Sequence, residues 1–231
     1  MLKLIRLELR KSKFNFLKTV LIADLAILAF MILVAFTGMD EGDFNTYADL
    51  FEGVFVFVKA TYIIFASVLL SKLVIDEYKN NTITVLFMYP VPRKMLMAAK
   101  LIIVFVFTFL GIFLSDVALS AVLAGIGHAV PDVIQGTVTR ELITTELGRA
   151  STDALYAAGI GLIPLYFGMR RKSVPATIVS AVLIVMVISS GFGNGSFRLG
   201  NMLGISLTLA LAGAAIAYLS IRKIEHQDVV S

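Results

Sequence analysis

Cysteine is absent from the 231 residues, which excludes a disulfide framework, a thiolate metal site and a cysteine nucleophile. Charge is scarce too. Only 16% of residues are charged and 58% are hydrophobic, with a mean hydropathy of +0.91, where a soluble domain is about a quarter charged and about half apolar. Too little polar surface remains to face water, so the composition excludes a soluble globular domain. No Pro/Gly/Ser-rich linker, low-complexity run or internal repeat divides the chain, and residues 1–231 read as a single transmembrane domain.

Sequence signatures of catalysis are missing as well. There is no Gly-x-x-x-x-Gly-Lys-Ser/Thr loop to cradle nucleotide phosphates, no His-Glu-x-x-His and no Gly-x-Ser-x-Gly elbow. The two histidines, His128 and His226, fall in segments predicted on opposite membrane faces, so they do not make one metal site. No catalytic residue, no metal ligand and no cofactor bound by this chain is expected. One enzyme reading survives, an intramembrane protease with its serine and partner on separate spans. The net charge of +4 does not point to nucleic acid, because the basic residues flank apolar stretches and form no stripe interleaved with aromatics. Their partner is the lipid bilayer.

A hydrocarbon core of about 30 Å takes roughly 20 apolar residues as a helix. Runs of that kind predict an all-α protein with six transmembrane helices, near 17–36, 54–75, 101–126, 154–169, 174–190 and 201–221. The first is predicted to stay as an anchor rather than to be cleaved as a signal peptide. Arg170, Arg171 and Lys172 demand a tight hairpin between the fourth and fifth. With both termini placed in the cytoplasm, cytoplasmic segments hold sixteen Lys and Arg and the outer loops three, Arg140, Arg149 and Arg198. The location predicted is therefore a bacterial cell membrane, multi-pass.

Residues 1–16 set Lys3, Arg6, Arg10 and Lys13 beside an apolar stripe of Leu2, Ile5, Leu9 and Phe16, the pattern of an interfacial amphipathic helix. A generic positive-inside flank is the plainer reading. Residues 76–95 form the second cytoplasmic loop. There Thr82 is placed to cap a short helix whose Ile83, Leu86 and Phe87 share a face, and Pro90 and Pro92 stop it. Such a helix, joined directly to two spans, suits docking into a partner's groove; a loop lying on the headgroups is the alternative.

Glu77, Thr82, Ile83, Leu86, Pro90, Arg93 and Lys100 resemble the Glu…Gly-Thr-Ile…Leu…Pro…Arg…Lys pattern of bacterial ATP-binding-cassette (ABC) exporter permeases of the second exporter class. The chain is similar in length, basic start and span number to the bacitracin-resistance and lantibiotic-immunity permeases of that class. Asn81 stands where the family commonly has glycine, and residues 191–200 are short where relatives carry re-entrant helices. The resemblance implies a half-transporter, two six-span subunits forming a homo- or heterodimer. Each subunit rests through the coupling residues Glu77, Thr82, Ile83, Leu86, Pro90 and Arg93 on a separate cytosolic ABC ATPase, which uses the ATP and Mg. The implied cargo is an antimicrobial peptide or similar amphipathic compound. Export of ions or small drugs, and a non-transporting membrane sensor that binds a cassette ATPase, are the alternatives.

Three charges, Asp24, Lys59 and Asp116, fall inside predicted spans, where each costs about 2.5 to 3.5 kcal/mol on insertion scales. At about 1.5 Å per residue, Lys59 lies roughly 20 Å above Lys72 and Asp116 roughly 24 Å above Lys100. Similar depths make an ion pair one reading, with the pair either lining a substrate path or purely structural; a Lys59 that snorkels outward is another. Asp24, six residues from Lys18, is predicted near the inner interface. Small residues recur at Ala157, Gly159 and Gly161 and at Gly200, Gly204, Ala210, Gly213, Ala214 and Ala217, which suits close helix packing within the subunit or at a dimer seam. Pro164 is predicted to kink the fourth span or end its regular hydrogen bonding.

Overall fold

The computed structural model describes residues 16–37, 47–79, 93–129, 139–189 and 203–223. Every element among them is helical. The elements are α1 (Phe16–Thr37), α2 (Tyr47–Leu70) running on through a π-helical segment (Ser71–Ile75) into α3 (Asp76–Lys79), α4 (Arg93–Ala129), α5 (Arg140–Ile160), α6 (Pro164–Arg171), α7 (Val174–Ser189) and α8 (Leu203–Lys223). The all-α, multi-helix membrane architecture expected from the apolar runs is the one formed. The interfacial helix expected over residues 1–16 lies outside the described residues.

Among the described residues, four helical stretches are long and apolar enough to cross a membrane: Lys18–Ala35, Leu50–Lys79, Lys94–Gly127 and Gly204–Arg222. The expected fifth span, α7, is an apolar helix of 16 residues, or roughly 24 Å against a core of about 30 Å. The expected fourth, 154–169, is not one helix. α5 ends at Ile160, and the chain turns through Leu162 N–H to Gly159 O, Ile163 N–H to Ile160 O and Leu165 N–H to Leu162 O, the tight three-residue spacing. Pro164 has no N–H to continue the α ladder and instead sits at the start of α6, as proline favours.

A second difference lies before that break. Residues 140–153 were expected in an outer loop, yet α5 begins at Arg140. Polar residues hid it: Glu141, Thr144, Thr145, Ser151 and Thr152 read as loop, whereas the threonine and serine hydroxyls bond back to carbonyls three or four residues earlier. Two helices also outrun their expected apolar runs. α2 starts at Tyr47, and α4, at 37 residues or roughly 55 Å, extends eight residues before Leu101.

The chain groups into two compact units. One comprises the described residues of Tyr62–Phe109 and Leu155–Ser231, with Tyr62, Ile63, Leu69, Leu70, Ile75 and Leu165 almost fully covered. Within it, α5 and α8 approach to backbone contact. A Cβ on Gly213 would stand 2.0 Å from the Gly159 carbonyl oxygen, and one on Gly159 would stand 2.9 Å from the Ala210 Cβ. Those small residues therefore serve packing inside the subunit.

In the same unit α6 and α7 form the hairpin that the basic triplet demanded. α6 carries Arg170 and Arg171 in its last turn, and Lys172 caps it in the left-handed region at φ 46°, its N–H reaching Gly168 O. The other unit comprises the described residues of Phe14–Thr61 and Leu110–Ala154, built around Met31, Leu50, Val54, Val58, Ile112 and Leu123. Phe30 meets Phe57 edge-on at 5.1 Å there.

Candidate functional site

The segment where α2 passes toward the second loop departs from α geometry. Ser71–Ile75 is a π-helix, in which the Asp76 N–H reaches Ser71 O five residues back. Single π turns inside longer helices concentrate at functional positions. The preceding turns are already softened, since Ser67 Oγ donates to Ile64 O at 2.7 Å and Ser71 Oγ donates to Ser67 O at 2.8 Å. Hydroxyls that bond back in this way loosen and bend a helix.

Lys100, on α4, holds this segment. Its ammonium donates to Leu73 O at 2.8 Å and to the Glu77 carboxylate, with side-chain exposures of 4% and 13% for Lys100 and Glu77. A charge covered to that degree is tolerable only because it is paired and hydrogen-bonded. The α6–α7 hairpin packs on the same π segment: Gly168 leaves room for Ile75, and a Cβ there would meet Ile75 Cδ1 at 2.9 Å and Thr177 Oγ1 at 2.2 Å.

Of the expected coupling residues, Glu77 is thus joined to Lys100, the last member of the pattern that carried the resemblance. Arg93 begins α4. Thr82, Ile83, Leu86 and Pro90, with the helix expected across them, lie outside the described residues.

The three charges expected inside spans fall in the other unit, and their arrangement differs from expectation. Lys59 and Asp116 are 6% and 4% exposed, but they do not form a direct ion pair. Neither Asp116 carboxylate oxygen has a hydrogen-bond partner, and the Lys59 ammonium instead lies 4.8 Å from the Phe55 ring centroid. Both Asp153 and Asp116 attract the Lys59 ammonium from a distance.

Asp24 does not stand apart from this group, as its spacing from Lys18 suggested. Ser115 Oγ on α4 donates to Asp24 Oδ2 at 2.8 Å, next to Asp116, and the two carboxyls act on each other.

Four further charges join Lys59 and Asp116. Arg149 on α5 reaches Glu52 on α2 at 3.5 Å, Glu146 at 3.9 Å and Asp153 at 3.9 Å. Burial raises the Glu146 carboxyl above the ordinary glutamate value; Arg149 opposes that rise, while Glu52 and Asp153 add to it. By the apolar runs of the sequence these four residues fall in outer loops. The signal overlooked was the spacing of Glu146, Arg149 and Asp153 at i, i+3 and i+7, one face of a helix. Among the described residues no group of His, Asp and Glu is placed to hold a metal ion.

A π-interrupted span clamped at its end and several apolar helices long enough to cross a bilayer define a polytopic membrane protein. The chain belongs to the ABC-2 family of transporter proteins, whose family model matches residues 4–188. It is therefore the membrane permease component of an ABC transporter, multi-pass in the plasma membrane, and such permeases work with an ABC ATPase. It is 41% identical over 233 residues to an uncharacterized protein, YcbO, of Bacillus subtilis (strain 168), an alignment covering 98% of this chain and all of that one. No solved structure matches it.

Proposed function

We propose that this permease is an exporter half. Two copies, or one copy and a related subunit, form the membrane path, and each docks a cytosolic ABC ATPase through residues 76–95. The termini and this loop lie in the cytoplasm, where the basic residues concentrate. The ATPase binds ATP and Mg and hydrolyses the nucleotide; this chain supplies no catalytic residue. The cargo is an antimicrobial peptide or similar amphipathic compound, removed from the membrane or expelled outward.

The observation that supports coupling is the Lys100 latch. The helices bracketing residues 80–92 are tied together by one buried ammonium on Leu73 O and Glu77. A push on that loop is therefore delivered to the π segment and to α4 together, rather than absorbed by two independently moving ends. Because a π turn has a ready alternative in ordinary α geometry, it offers a place for the helix to change register.

The test is to co-purify the chain with its ATPase and measure ATP-dependent movement of a fluorescent cationic peptide into inside-out vesicles. Flux that disappears with Glu77→Ala while the ATPase stays bound supports the exporter. Binding of peptide and ATPase without flux would identify a sensor, and flux of ions or small drugs alone would replace the cargo.

A further inference from the structure

We infer that the unit containing Asp116 holds a binding site for a cationic group on an apolar stem, an ammonium the size of one long side chain. The site is a cavity of about 190 Å³ whose wall includes Phe51, Phe55, Val117, Asp116, Glu146 and Arg149. Its surface is mostly hydrocarbon, and two aromatic rings stand on α2. That volume accepts one side chain or a small amine and not a folded peptide, since sites for drug-sized ligands run from about 300 to 1,000 Å³.

The choice of a cation follows from charge. Four carboxyl groups, Glu52, Asp116, Glu146 and Asp153, stand against two bases, Lys59 and Arg149, and Asp24 adds a further carboxyl beside Asp116. Arg149 is occupied by its three carboxylate neighbours and Lys59 by the Phe55 ring. Asp116 is the exception. It is 4% exposed, on the cavity wall, and neither of its oxygens accepts a hydrogen bond.

Lys59 acts on Asp116 only at a distance, so a covered carboxyl with no hydrogen bond of its own gains further compensation when a second positive group enters. Both oxygens lie beneath the wall, so the attraction acts over a short path of low dielectric, where it is poorly screened. Phe51 and Phe55 supply apolar surface for the stem that carries the ammonium.

This deepens the permease reading and takes its biological meaning from it, but binding is measured on the purified subunit without ATPase, so the two fail separately. In neutral maltoside micelles, 4-phenylbutylammonium is titrated by calorimetry beside its neutral counterpart 4-phenylbutanol. Saturable binding of the ammonium, at least tenfold weaker for the alcohol and at least tenfold weaker in Asp116→Asn, is expected. Equal affinity for ammonium and alcohol, or an unchanged affinity in Asp116→Asn, would overturn the site. Asn keeps the shape of Asp; should that variant nevertheless melt early, Ala124→Leu fills the cavity without touching a charge. Ala124→Leu must also abolish binding, and retained binding rejects the cavity as the location. Competition then assigns the source: displacement by a lysine-bearing amphipathic peptide and not by its norleucine version assigns the ammonium to a peptide side chain, and no displacement assigns it to a free amine.

Discussion

Lys100 shows how much one side chain decides here. Its ammonium satisfies a carbonyl of the π segment and a carboxylate at once, so the single change Lys100→Met leaves Glu77 charged and covered. Breaking one side of a buried pair costs about 3–5 kcal/mol, and a fall in thermal unfolding temperature of the detergent-solubilised protein is the measurement. Lys100→Met with Glu77→Gln removes both charges and is expected to recover most of that stability while ATP-driven transport stays lost. Recovery of transport in the double variant would mean the pair merely holds the fold. Gly168 belongs to the same region: Gly168→Ala forces Thr177 or Ile75 aside, and reduced coupling with an intact membrane fraction is expected.

At the level of elements, the α5–α8 crossing and the α6–α7 hairpin respond in opposite directions. Gly213→Ala drives a Cβ into the Gly159 backbone, which cannot rotate away as a side chain would. A loss of about 1–3 kcal/mol is expected for such overpacking, read as a lower melting temperature; Gly204→Ala, with nothing within 4 Å, is the control and leaves that temperature the same or slightly higher. Lys172 holds a left-handed conformation that costs a residue with a Cβ roughly 1–2 kcal/mol. Lys172→Gly is therefore expected to stabilise the hairpin by up to about 1 kcal/mol in the same melt, after glycine's greater freedom in the unfolded chain is subtracted. Sequence reading found this hairpin because three adjacent basic residues interrupt two apolar runs. It missed the start of α5 because threonine, serine and charge are the residues of loops as well as of a polar helix face.

For the whole molecule, the absence of cysteine makes orientation directly measurable. Lys79→Cys and Arg93→Cys are expected to react with an impermeant maleimide only when the cytoplasmic face is exposed, and Arg140→Cys only from the outside. Reaction of Lys79→Cys from the exterior would remove the loop from the reach of any ATPase. The division into two compact units matters at the same scale. The latch and the hairpin that packs on the π segment belong to one unit, and the cation cavity belongs to the other, while α2 and α4 run through both.

The all-helical, membrane-spanning class and the hairpin at the basic triplet were legible in the amino-acid sequence alone, because partition into a bilayer depends on local composition and a helix satisfies its own backbone wherever it inserts. The small residues of α5 and α8 were legible as packing positions for a similar reason, since only Gly and Ala admit close helices. What the tertiary structure decided was partnership. Glu77 meets Lys100 across 23 residues of chain and Asp24 meets Ser115 across 91, while Lys59 turns to an aromatic ring and leaves Asp116 without a hydrogen bond. Depth along two helices fixes which charges stand level, but which of them touch depends on how the helices rotate about their axes, and that is set by packing of the whole set.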